Sequence, residues 1–104
     1  MTKVTYDPAG LRILAEGHAG TCNDKGNDLA CCAVSTLMFT YAQALDVHGI
    51  DGDSGADEKA GVVEIAARPD RMRLQQARTI CETIAAGLEL VAGEYPDNVR
   101  FTII

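Results

Sequence analysis

Tryptophan is absent from this chain, and aromatic residues make up only 5% of it. Any core must therefore be built mainly from aliphatic side chains. Basic residues are the second scarcity: Lys and Arg number 9 against 15 Asp and Glu, a formal charge of −6. Nucleic-acid binding normally needs a basic face to neutralise phosphates, so this balance argues against it. The same charge suits attraction of a basic partner. No apolar run approaches the roughly 20 residues that span a bilayer. The start, Met1 to Asp7, also lacks the basic segment and apolar block of a signal peptide. The expected setting is cytoplasmic, with no membrane partner. There the 4 cysteines are thiols, ligands or catalysts before they are disulfides.

What is present is enough for one domain, residues 1–104, with 47% hydrophobic content to fill one core. Lys3 to Tyr6 is β-branched and aromatic, and Asp7-Pro8-Ala9-Gly10 reads as a turn. Leu11, Ile13 and Ala15 then alternate with Arg12, Leu14 and Glu16, which completes a β-hairpin with one buried face. Gly17 to Asn27 is polar and glycine-containing, a loop that carries His18 and Cys22.

Asp28 is a good N-cap, and Leu29 to about Asp46 contains no Gly or Pro. The spacing predicts a helix here with Leu29, Cys32, Ala33, Thr36, Leu37, Thr40, Tyr41 and Ala44 facing inward. His48-Gly49 ends it. Ile50 to Gly61 is acidic and Gly-rich and is expected as an exposed loop. It lacks the ligand order of a calcium-binding EF-hand loop. Gly61 to Ala66 reads as a strand. A second helix begins after Pro69 and carries the stripe Ala77, Ile80, Cys81, Ile84, Leu88 and Val91. Tyr95-Pro96-Asp97-Asn98 turns into a last strand, Val99 to Ile103. The order β-β-α-β-α-β predicts an α+β fold of two layers, two helices on a small four-stranded sheet.

The candidate chemistry gathers around the loop. His18 follows a strand, and Cys31 is placed in the first turn of the helix, with a loop of 12 residues between them. Unpaired amides and the helix dipole at such a position favour a thiolate and could hold an oxyanion. His18 could pair with that thiolate as in cysteine hydrolases. Ser35, at i+4, shares the face of Cys31, and Gly20 and Gly26 would let the loop open and close. A buried structural cysteine is the commoner role, and Cys32 and Cys81 are read that way. Zinc is disfavoured, because adjacent Cys31 and Cys32 point about 100° apart on a helix and no Cys-x-x-Cys pair exists. No metal or other cofactor is expected.

Gly17-His18-Ala19, followed by Gly26-Asn27-Asp28-Leu29-Ala30-Cys31, Ala33 and Ser35, resembles the ribosomal-processing cysteine protease family, Prp. The resemblance extends through the strand-helix order to Glu94-Tyr95 and Asn98-Val99-Arg100. Two features depart from it: a longer His-to-Cys interval, and Cys32 where a small residue is usual. The resemblance implies Cys31 as nucleophile, His18 as general base, Asp28 as a capping or orienting acid, and Ser35 as the serine of the same helix. It also implies a homodimer that removes the N-terminal extension of a large-subunit ribosomal protein. A phage-type relative would process a capsid protein instead. Two readings from other classes stand beside it: a non-enzymatic module binding a basic ribosomal partner, and a thiol redox sensor joining Cys22 to Cys31.

Overall fold

The computed structural model describes residues 1–17, 26–57 and 59–104, with the backbone alone described for 26–28. Two strands open the chain, β1 (Thr2–Asp7) and β2 (Arg12–Glu16), followed by helix α1 (Gly26–Val47). Next come β3 (Gly52–Asp57), β4 (Val62–Ala67), helix α2 (Leu74–Glu94) and β5 (Val99–Ile103). The strands form one five-stranded sheet in the order β3-β4-β2-β1-β5. β1 and β5 run parallel, and the other neighbours are antiparallel. The class is the expected α+β, with a fifth strand added.

That strand is β3, where a loop was expected. Gly52 to Asp57 pairs residue by residue with Ala67 to Val62, yet all six of its residues are exposed. It lies at the sheet edge, so it has no inward-facing apolar alternation to betray it, and it is held by backbone pairing together with an Asp53–Arg68 ion pair at 2.8 Å. Its acidic side chains suit an edge, where charge discourages pairing with another sheet.

The inner face of the sheet follows from period-two burial. Val4 and Tyr6 of β1, Ile13 and Ala15 of β2, and Val63, Ile65 and Ala67 of β4 are all buried. Arg12 and Glu64 form an ion pair on the opposite face, from cross-strand neighbours. Both helices pack on the inner face. On α2 the buried set is Ala77, Cys81, Ile84, Ala85 and Leu88, with Ile80 and Val91 partly buried, so the expected stripe is the packed one. Asp70 caps the short turn Arg71–Arg73 that leads into α2, accepting the Arg73 amide at 2.9 Å.

α1 differs from expectation in phase and start. Its buried face is Ala30, Cys31, Val34, Ser35, Met38, Tyr41 and Leu45. Of the expected stripe only Tyr41 is fully buried, while Leu29, Thr36 and Thr40 are exposed. Cys32 is half-buried and is not a core residue. Helical spacing supported both faces equally. The larger side chains decide between them, since burying Met38, Tyr41 and Leu45 contributes about 1.5–3 kcal/mol each. Thr40 instead donates its hydroxyl to the Thr36 carbonyl at 2.6 Å on the outer face. The helix also begins at Gly26, so Asp28 lies inside its first turn and does not cap it. Leu29–Val47 is long and apolar enough by composition to cross a membrane, against the expectation from sequence. In this fold its inner face is instead core, packed on the sheet and on α2.

Candidate active site

β1, β2 and α1 meet at one end of the sheet, and Cys31 sits at the junction. It is a free thiol and 6% exposed. As the sixth residue of α1 it belongs to the second turn, one turn later than expected. Its own amide is therefore engaged in the helix, and the unpaired amides lie in the turn before it. Side chains on a helix lean toward its N-terminus, so the sulfur is carried back toward that first turn. Asp28, within the same turn, places a carboxylate-bearing residue where the helix dipole favours negative charge.

The sulfur has a described polar neighbour that sequence reasoning missed. Thr2 Oγ1 lies 3.5 Å from Cys31 Sγ, within hydrogen-bonding reach of sulfur. Thr2 is 1% exposed, a buried polar residue at the start of β1. Its amide donates to the Asn98 carbonyl at 2.8 Å, and it stands opposite Val99 in the parallel pairing with β5. No spacing rule joins residues 2 and 31, because their contact exists only once the sheet has formed. The one signal available was a Thr at the head of an alternating inward face.

Gly17 completes the junction. Its φ of +111° is a conformation that residues with a Cβ rarely adopt. A Cβ there would stand 2.6 Å from the Met1 carbonyl oxygen and 3.0 Å from Thr2 Cα. The chain thus leaves β2 pressed against the backbone of the residue that touches the thiol. Ser35, one turn beyond Cys31, is buried beside it on the same helical face. Gly26 opens α1. His18, Gly20 and Cys22 lie outside the described residues. Among the described residues, no group of three or more His, Cys, Asp or Glu is placed to hold a metal ion.

Cys81, the other free thiol among the described residues, has a different setting. It is fully buried in the middle of α2. Burial pushes its pKa up, opposed by hydrogen bonds with Tyr41 and Tyr6. Burial also raises both tyrosines, and the Tyr41 hydroxyl donates to the Leu11 carbonyl at 2.5 Å. This is a neutral cluster that ties α1, α2 and the hairpin together. His48, at the far end of α1, is held by Gln76 at 3.0 Å.

The chain resembles known proteins over nearly its full length. A curated relative, the ribosomal processing cysteine protease Prp of Bacillus subtilis (strain 168), is 29% identical over 101 residues, covering 94% of this chain and 89% of the relative. A crystal structure of Prp from S. aureus, in complex with a covalently linked product peptide, superposes with a TM-score of 0.79 at 22% identity, covering 100% of both chains. A protein from Streptococcus mutans also superposes with a TM-score of 0.79 at 22% identity, covering 99% of this chain and 91% of that one. The family described as Cysteine protease Prp matches residues 1–100. The chain, with a buried free thiol where its first helix meets its first strand, belongs to that family of cysteine proteases.

Proposed function

We propose that this protease removes the N-terminal extension of a large-subunit ribosomal protein, using Cys31 as nucleophile and His18 as base. The observation that carries the reading is the junction at Cys31: a free thiol near the start of α1, touching Thr2, which is itself packed on Gly17. Gly17, packed against the residue that contacts the sulfur, immediately precedes His18 in the sequence. The name of the B. subtilis relative supports a ribosomal substrate. The −6 charge suits a basic one.

The chemistry follows from those roles. His18 takes the Cys31 proton, and the thiolate attacks the scissile carbonyl carbon, with unpaired first-turn amides available to the oxyanion. The tetrahedral intermediate collapses as the C–N bond breaks, and His18 protonates the departing amine. The thioester is then opened by a water that His18 deprotonates. Carboxylic acid is released and the thiol is restored. Asp28 and Ser35 support the site from the same helix, and Gly20 and Gly26 belong to the segment that would admit substrate.

Incubation with an N-terminally extended ribosomal protein, followed by mass spectrometry, tests this directly. The wild-type chain cleaves, and Cys31→Ala and His18→Ala do not. Cleavage surviving in both variants overturns the dyad. Salt-sensitive binding without cleavage overturns the protease reading in favour of a basic-partner module.

The same reading places the protein in the cytoplasm as a homodimer. Support for the dimer comes from the outer face of α1, where Leu29, Phe39 and Val47 are 59%, 50% and 66% exposed. Phe39, Val47 and Ala44 line one shallow apolar groove, and such a face is stabilised by a partner. Sedimentation velocity should give a dimer that Phe39→Asp converts to a monomer.

A further inference from the structure

We propose that Thr2 is a positioning residue for the cysteine protease, holding the Cys31 sulfur for attack through its hydroxyl. The proposal rests on the reading of Cys31 as nucleophile. Thr2 is the only residue on the inward face of β1 to present a hydroxyl to the thiol, 3.5 Å away. The next inward residue, Val4, is wholly apolar core. A buried hydroxyl is costly unless it finds a partner, and here that partner is the reactive sulfur.

Thr2 is unusually well placed to hold a fixed orientation. Its backbone is secured on one side by the amide bond to Asn98 and the pairing with Val99. On the other side Gly17 packs against its Cα, an approach that a Cβ would block. Threonine is stiff about χ1 because two heavy atoms crowd its Cβ. The hydroxyl can accept from the thiol in the resting state and donate to the thiolate once the proton has left. A hydrogen bond to the charged form is the stronger of the two. The sulfur thus keeps one partner, in one direction, through ionisation and attack. With only 6% exposure, Cys31 has little water to do this instead.

The test compares Thr2→Val, which keeps shape and removes the hydroxyl, with Thr2→Ser, which keeps the hydroxyl. Alkylation of Cys31 by iodoacetamide at neutral pH, followed by mass spectrometry, reads the sulfur without any substrate. Thr2→Val should slow it about tenfold, the loss of one charge-assisted hydrogen bond. Thr2→Ser should stay within about threefold of wild type. With the extended ribosomal protein as substrate, Thr2→Val should lower kcat by a similar factor at unchanged KM, and Tm should shift by no more than about 2 °C. Wild-type alkylation and kcat in Thr2→Val overturn the proposal. So does an equal loss in both variants accompanied by a lower Tm, which makes Thr2 a packing residue. Cleavage by Cys31→Ala instead overturns the nucleophile assignment on which the proposal rests.

Discussion

Two free, buried cysteines of this chain occupy opposite kinds of site. Cys31 lies near the start of α1, where a threonine hydroxyl, a positive-φ glycine and the end of β2 converge. Cys81 lies in the middle of α2, enclosed by the aliphatic core and two tyrosine hydroxyls. Burial alone does not separate them, since both are nearly inaccessible. What separates them is the neighbourhood at the sulfur. The first thiol stands where the start of β1, the end of β2 and the first turns of α1 meet. The second is sealed between two helices, and its environment favours the protonated form.

Removing each thiol should produce the largest contrast. Cys31→Ala should lower the rate of ribosomal-protein cleavage by about a thousandfold or more while leaving the circular dichroism spectrum unchanged. Cys81→Ala should keep the rate within about twofold. A comparable loss of activity in Cys81→Ala would erase the distinction.

Gly17→Ala probes the junction without touching either sulfur. The added methyl meets the Met1 carbonyl and must adopt an unfavourable φ. It should cost about 2 kcal/mol in urea denaturation and impair cleavage more than Cys81→Ala does. An unperturbed variant would mean that β2 and β1 can separate at this end without consequence.

Cys81→Ala, silent in catalysis, should be felt in stability. The lost sulfur leaves a small void and takes one hydrogen-bonding neighbour from each tyrosine hydroxyl, Tyr41 keeping its bond to the Leu11 carbonyl, for about 1–2 kcal/mol by urea denaturation. The smallest effect concerns pH. The folded state raises the Cys81 pKa above its ordinary 9.0, so the unfolded chain gives up that proton first. The contribution is complete below the ordinary value and is lost as pH rises through the raised one. Tyr6 and Tyr41, raised from 10.0, act in the same direction higher up. Denaturation midpoints from about pH 8 upward should therefore fall more steeply in the wild type than in Cys81→Ala. Parallel curves would show that Cys81 is not the titrating group.

The sequence analysis reached furthest where one face of an element is buried and the other is not. Leu11, Ile13 and Ala15 alternate against polar or partly exposed neighbours, and the stripe of α2 has a single apolar side, so periodicity had one solution in each. α1 had two. The expected stripe counts Thr36, Thr40 and Ala44 beside Leu29 and Tyr41, whereas the buried face carries the more apolar set Val34, Met38 and Leu45 with Tyr41. β3 gave no periodic signal because an exposed edge strand needs no apolar face. At the site, the surroundings of Cys31 could be read locally from Gly26 to Ser35, within a single helix. Thr2 could not, since its contact with the sulfur is long-range and depends on the pairing of β1 with β5.

That pairing links the beginning of the described chain to its end. Thr2 is fixed beside the thiol by Asn98 and Val99, at the start of the last strand in the sequence. Contacts between residues so distant in sequence form late and slowly, because a large loop must close before they repay its entropy. Assembly of the site is therefore coupled to completion of the fold. The parallel β1–β5 ladder thus makes the surroundings of the Cys31 thiol a property of the closed sheet and not of α1 alone.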